Sequence, residues 1–224
     1  MVRVYNEEKV VKDTLENLYH TWYKNILVVN DGSTDDSKQI LQEFWDKIIL
    51  LHHFQNRWGG AALETWFEYL RRYSKTKYVC TFDADGQHNI DDLQNFISLL
   101  EKQQDIDIVL WSRFIQKTHT NVWFVRKMIL KWGIIFTYFI SNIKLTDSHN
   151  WYRVFRTPIL NDIQLKMDDM SYASEMMDII ATKNLKFKEV PVNILYTEYS
   201  KAKWQKSINA VNIALKTIWY KFFK

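Results

Sequence analysis

Apolar runs with almost no polar interruption mark the first half of the chain, and each stops abruptly at polar residues. Ile26-Leu27-Val28-Val29 leads into Asn30-Asp31-Gly32-Ser33-Thr34-Asp35, Tyr78 to Phe82 into Asp83-Ala84-Asp85-Gly86-Gln87-His88, and Ile106-Asp107-Ile108-Val109-Leu110 into Trp111-Ser112-Arg113. Runs of this kind, rich in β-branched and aromatic residues, are what a parallel sheet covered on both faces requires. A shorter run, Lys47 to Leu51, precedes His52-His53. Between them, Glu7 to Tyr19, Asp36 to Phe44, Gly60 to Tyr73 and Ile90 to Lys102 repeat apolar residues every three or four positions, which predicts helices. Alternating strands and helices predict βαβ units and a right-handed parallel sheet, whose polar loops meet at the carboxyl ends of the strands.

The second half is less regular. Arg126 to Asn142 predicts a helix, Trp151 to Phe155 a short strand, Tyr172 to Lys183 a helix and Phe187 to Ile194 a strand. Lys206 to Lys224 predicts an amphipathic helix, with Ile208, Val211, Leu215, Ile218, Trp219 and Phe222 apolar and lysines between them. Such a helix docks on its own core or lies on a membrane surface. No linker, repeat or low-complexity block divides the 224 residues, of which 47% are hydrophobic, so one domain is expected.

Composition narrows the setting. A single cysteine, Cys80, rules out an intramolecular disulfide and fits a reducing compartment. The formal charge of +4 is too modest to predict a nucleic-acid partner. The longest greasy stretch, Trp132 to Ile140, falls short of the roughly 18 residues a bilayer span needs, and no signal peptide is apparent. The expectation is a cytoplasmic protein, soluble or peripheral on the cytoplasmic face of the membrane, of undetermined oligomeric state.

Chemistry concentrates at Asp83, Asp85 and Gln87. Two carboxylates and an amide suit a hard cation, Mg²⁺ or Mn²⁺, that also grips phosphate oxygens, because such ions keep positions open for substrate. Asp-X-Asp at a strand end is also a common turn and cap, so the motif needs support from elsewhere. A phosphatase of the haloacid dehalogenase type would carry its Asp-X-Asp after the first strand and continue toward Thr or Val; here the motif follows about the fourth strand and continues Gly-Gln-His. No G-x-G-x-x-G follows the first strand, which argues against a dinucleotide enzyme.

Seven motifs in order do supply that support: Val4-Tyr5-Asn6-Glu7-Glu8, Val28 to Asp35, Asn56-Arg57-Trp58-Gly59-Gly60-Ala61-Ala62, Asp83 to His88, Ser112-Arg113-Phe114, Thr146 to Arg153, and Glu189-Val190-Pro191-Val192. Together they resemble the inverting family 2 glycosyltransferases of the GT-A fold, near the dolichyl-phosphate mannose synthase-like group. The resemblance implies an α/β fold with one Rossmann-like, mostly parallel sheet. Residues 1–113 would form the nucleotide-sugar half, and 114–224 the acceptor half with the C-terminal helix. It implies that Tyr5, Asn6, Glu7, Asn30 and Asp31 surround a donor nucleoside, while Asp83, Asp85 and Gln87 hold the metal on its diphosphate. Arg113 and Arg153 would face phosphates and Arg126 an acceptor phosphate, with Asp85 and Glu175 as catalytic carboxylates. A hydroxyl acceptor needs a general base, for which Glu175 is the candidate; a polyprenyl phosphate is already an anion and needs none. Cell-envelope glycan synthesis is the implied setting. The alternative is a nucleotide-sugar-binding protein without turnover.

Two departures stand out. The family usually carries a carboxylate where Asn30 stands, which leaves the donor base open, and the chain begins only a few residues before Tyr5, so a first strand shorter than the family's, from a truncated or misassigned start, is expected. More unusual, ten tryptophans outnumber five glycines, although glycine normally makes up about 7% of residues. At Trp22, Trp58, Trp66, Trp111, Trp151 and Trp204 the family pattern has glycine, and Trp45, Trp123 and Trp132 sit where glycine would be natural. Glycine serves where backbone approaches a ligand or takes positive φ, and an indole there overpacks. Either these are UGA codons that the source ribosomes read as glycine, or real tryptophans that form a stacking or membrane-facing surface. Scattering over loops, helices and strand ends does not build one face, so recoding is the expected answer. The chain as written is then expected to fold poorly or to have a blocked donor site.

Overall fold

Val28, Val29, Ile108, Val109, Val154 and Phe155 are all fully buried, which is why the runs that contain them show no polar alternation. The computed structural model describes residues 1–21, 23–85, 88–115, 124–147, 151–192, 216, 217 and 219. In chain order the elements are β1 (Val2–Val4), α1 (Val11–His20), β2 (Leu27–Asn30), α2 (Ser37–Gln42), β3 (Ile49–His52), α3 (Trp58–Tyr73), β4 (Tyr78–Asp83), α4 (Asp91–Lys102), β5 (Ile108–Ser112), α5 (Phe124–Ser141), β6 (Arg153–Arg156), a 3-10 turn (Thr157–Asn161), α6 (Tyr172–Thr182) and β7 (Phe187–Pro191). The strands form one sheet ordered β3-β2-β1-β4-β6-β5-β7. Helices cover both faces. Val11, Leu15, Phe96 and Leu100 of α1 and α4 pack on one side, and Leu63, Phe67, Met176 and Ile180 of α3 and α6 on the other.

The sheet is mixed rather than wholly parallel, because β6 runs antiparallel between β4 and β5. The reason lies in a tie across the intervening segment. Arg113, the residue after β5, donates its backbone N–H and its guanidinium to Asp147, six residues before β6. The chain therefore re-enters the sheet from the end at which it left, and a strand that starts there runs backwards. A parallel neighbour would have required a return to the opposite end. Of the expected C-terminal helix, only 216, 217 and 219 are described, and they are helical; the rest of 206–224 lies outside the described residues.

α3 is anchored at both ends. Arg71 bonds Glu64 and Glu68 on its own helix and donates to the carbonyls of Leu160 (3.1 Å) and Ile163 (2.9 Å). At the other end, Gly60 and Ala61 donate to the Asp168 carbonyl at 2.8 and 3.2 Å. That approach admits only glycine at position 60, since a Cβ there would lie 2.0 Å from the Met167 oxygen.

Candidate active site

The order of strands reverses between β1 and β4: from β1 the chain builds outward through β2 and β3, then jumps back to β1's other side. Crevices at such reversals, outside the carboxyl ends, are where open α/β sheets bind ligands. Tyr5, Asn6 and Glu7 follow β1, Asn30 and Asp31 close β2, and Asp83 and Asp85 close β4. Hydrogen bonds knit these loops together. Asn6 receives the Thr34 N–H on its amide oxygen at 2.8 Å and gives its own N–H to Ser33 Oγ at 3.1 Å. The Glu7 N–H goes to Ser37 Oγ at 2.8 Å, and Thr14 Oγ1 reaches the Ala84 carbonyl at 3.2 Å. Asn6 sits at φ 53°, a conformation asparagine tolerates. Asn30 is buried, and its Oδ1 accepts the Ser33 N–H at 3.0 Å.

Asp31 turns inward. Its side chain is fully buried and accepts from Arg3 Nε and Nη2 at 3.1 and 2.7 Å, from the His53 ring at 2.7 Å and from the Arg57 backbone at 2.9 Å. It is the strut that holds β1, β2 and the start of α3 in register. Burial alone would raise its pKa, but the bonds from His53 and the Arg57 N–H and the charge of Arg3 outweigh that and hold it below the ordinary carboxyl value. A carboxyl with a lowered folded pKa adds stability above its unfolded value of about 3.9 and loses it as pH falls through the folded value. Asp31→Asn is therefore expected to cost about 1.5–3 kcal/mol at neutral pH. It should also flatten the loss of stability below about pH 4; urea denaturation across pH checks both.

At the end of β4, Asp83 Oδ1 accepts the Ala84 N–H at 3.0 Å, and the Asp83 N–H goes to His88 Nδ1 at 3.1 Å. His88 stacks on Tyr152 with ring centres 4.5 Å apart, and burial pushes its pKa down to about 3, so it is a neutral acceptor that shapes the turn. Asp83 and Asp85 are both partly exposed. Two hard oxygen donors at a strand end fit Mg²⁺ or Mn²⁺, which draw their remaining ligands from phosphate and water. No group of three or more acidic, His or Cys side chains gathers among the described residues. Gln87 and His149 lie outside the described residues.

Arg113 does not stand alone at the end of β5. Its Nε and Nη2 each lie 2.6 Å from a different Asp147 oxygen, and both side chains are buried. Glu189 in β7 in turn accepts the N–H groups of Thr146 and Asp147 at 2.9 to 3.2 Å. Asp147 and Glu189 belong to two of the sequence motifs, yet neither was singled out, because nothing local reveals a partner 34 or 42 residues away.

Arg153 faces the same side of the sheet as the Tyr172 ring, 5.8 Å from its centre. It is 1% exposed, and among the described residues its Nε and Nη1 have no hydrogen-bond partner. Arg126 falls in the first turn of α5. Glu175, in the first turn of α6, takes the N–H groups of Lys166 and Met167 at 2.9 to 3.1 Å, so its carboxylate is engaged in holding the loop before α6. Burial raises its pKa against those bonds. As a loop anchor, Glu175→Gln is expected to change transfer less than tenfold; as a general base it would cost about 10²–10⁴-fold. A kcat comparison of the two proteins separates these roles.

The model of "Glycosyl transferase family 2" matches residues 1–164. The chain belongs to that family. An uncharacterised protein of Methanocaldococcus jannaschii is 34% identical over 226 residues, covering 100% of this chain and 91% of the relative. The UDP-N-acetylglucosamine–dolichyl-phosphate N-acetylglucosaminyltransferase of Methanococcus voltae is 32% identical over 222 residues, covering 91% and 87%. Among solved structures, glucosyl-3-phosphoglycerate synthase from Mycobacterium tuberculosis, in complex with Mn²⁺, UDP and phosphoglyceric acid, superposes with a TM-score of 0.69. It does so at 11% identity, over 97% of this chain and 74% of that one. The protein is thus a glycosyltransferase of family 2 with the GT-A fold.

Proposed function

We propose that this glycosyltransferase moves a sugar, with inversion, from a nucleotide-sugar donor to a polyprenyl phosphate, assisted by Mg²⁺ or Mn²⁺. The observation that carries the reading is the convergence of the loops after β1 and β2 with Asp83 and Asp85 at one crevice. Tyr5, Asn6, Glu7 and Asn30 would border the nucleoside, with Asp31 supporting them from below, and Asp83, Asp85 and Gln87 would hold the metal. Bound there, the metal would offset charge on the departing diphosphate. The dolichyl-phosphate substrate in the name of the M. voltae relative and the Mn²⁺ and UDP of the mycobacterial structure support the same assignment.

The engagement of Glu175 supports a phosphate acceptor. A carboxylate already engaged by two backbone N–H groups is poorly suited to take a proton from a hydroxyl, whereas a phosphate acceptor arrives ionised. Arg126 would meet that phosphate. A lipid acceptor also calls for a membrane-facing surface, and α5 supplies a candidate. Met128, Trp132, Ile135 and Phe139 are exposed along one face while Thr137 and Ser141 are buried, the reverse of a helix facing water. The helix carries Arg126, Lys127 and Lys131 and no acidic residue, which suits an anionic lipid surface. Among the described residues no helix is long and apolar enough to cross a membrane. Ile135→Ser with Phe139→Ser is expected to weaken sedimentation with anionic vesicles about tenfold or more, with circular dichroism unchanged. Equal binding by both proteins would remove α5 from the reading.

The direct test is a product assay with UDP-, GDP- and dTDP-sugars, Mn²⁺, and either polyprenyl phosphate or a glycan acceptor. Lipid-linked sugar that disappears on chelation is the expected result. Transfer only to the glycan would overturn the acceptor, and transfer undiminished by EDTA the metal. Donor binding with neither transfer nor hydrolysis would favour the second reading, a nucleotide-sugar-binding protein.

A further inference from the structure

We infer that positions 58, 66 and 151 carry glycine in the protein the cell makes, the codon there being UGA, and that glycine at 151 opens the buried Arg153 guanidinium toward the diphosphate side of the crevice. The backbone speaks first. Among the described residues four that are not glycine have positive φ: Asn6, Asn142 and Asn184 at 53 to 57°, and Trp58 at 69°. Asparagine tolerates that region; a bulky side chain does not adopt it without strain. Trp58 gains little in return, since it is 53% exposed at the head of α3.

Side-chain chemistry points the same way at 66 and 151. A buried indole normally finds an acceptor for its N–H, yet among the described residues Nε1 of Trp66 and Nε1 of Trp151 are both buried with no partner. The two rings lean on each other, 5.8 Å apart, and Trp151 also meets Tyr172 at 5.5 Å. One Trp151 ring atom lies 3.1 Å from where a Cβ on Gly59 would be, so the indole fills a space lined by glycine. Trp45, Trp132 and Trp219, by contrast, are exposed and carry neither sign. Trp111 packs against His88 and Tyr152; Trp22, Trp123 and Trp204 lie outside the described residues.

Position 151 is also where the inference meets function. β4 and β6 pair with Thr81 opposite Arg153, and that register, continued two residues, sets position 151 opposite Asp83 on the same face of the sheet. Arg153 lies on that face too, two residues on, and shares the Tyr172 ring with the Trp151 indole. A guanidinium buried with two nitrogens unpaired is costly unless an anion meets it. Removing the indole leaves such a cation beside a candidate metal ligand, an arrangement suited to the oxygens of a nucleoside diphosphate. This last step rests on the donor reading above; the identity of the residues does not.

Mass mapping of the native protein tests the first part. Tryptic fragments ending at Arg71 and Arg153 cover positions 58, 66 and 151. Glycine at all three is expected, and tryptophan at any of them overturns the inference. For the second part, UDP and GDP binding with Mn²⁺ is measured on the chain as written, on a Trp58→Gly/Trp66→Gly/Trp151→Gly chain, and on that chain with Arg153→Met. At least tenfold tighter binding on glycine restoration, lost again with Arg153→Met at an unchanged melting temperature, is expected. Equal binding by all three overturns the opening at Arg153. Binding of neither nucleotide by any of them, with glycine found in the native protein, would sink the donor reading and the opening together while leaving the residue assignment standing.

Discussion

Asparagine in place of Asp85 is expected to lower sugar transfer about 10²- to 10³-fold, the loss typical when one electrostatic contact to developing charge is removed. The substitution keeps the shape of the side chain and removes its charge, so melting should stay near that of the parent. A residue that binds metal also predicts a second signature: the Mn²⁺ concentration for half-maximal rate should rise, with part of the activity recovered at high Mn²⁺. The effect belongs to the strand as much as to the residue. β4 is covered on both faces and runs straight to its carboxyl end, so Asp83 and Asp85 emerge where the sheet can no longer bury them. Unchanged kcat/KM together with unchanged Mn²⁺ dependence would remove Asp85 from the site.

The second large effect is on stability. Asp147→Ala is expected to cost about 3–5 kcal/mol, because it strips the buried Arg113 of its bidentate partner. Asp147 accepts from Arg113 three times, through the backbone N–H at 2.9 Å and two guanidinium nitrogens at 2.6 Å. Arg113→Lys should not spare the fold, since an ammonium cannot reproduce the two parallel bonds. A double-mutant cycle by urea denaturation would place most of the loss in the pair itself. A cost under about 1 kcal/mol would mean the pair is effectively solvated, and Arg113 could then be returned to phosphate binding.

That pair also marks the limit of what could be read along the chain. The strands were legible because burial on both faces leaves a local trace, an unbroken apolar run, and the loops at their ends were legible because polar residues begin where burial stops. Tyr5, Asn6, Glu7, Asn30, Asp31, Asp83 and Asp85 came together at one end of the sheet for that reason. Their individual jobs were not legible. Asp31 became a buried strut through Arg3 and His53, Arg113 was claimed by Asp147, and the Glu175 carboxylate was taken by the loop at Lys166 and Met167. Each of those outcomes depends on a second residue whose distance in sequence carries no periodic signal.

By itself the sequence determined the family, the alternation of strands and helices, and the position of the acidic turn after Phe82, since these follow from hydrophobic spacing and from motifs a few residues long. It also made tryptophan conspicuous where glycine is natural. The backward course of β6, the partners of the buried charges and the positive φ of Trp58 were settled only in three dimensions. The physical reason is the same throughout: direction, charge pairing and steric fit are properties of segments brought together in space, and the energy that selects them is absent until the sheet has formed.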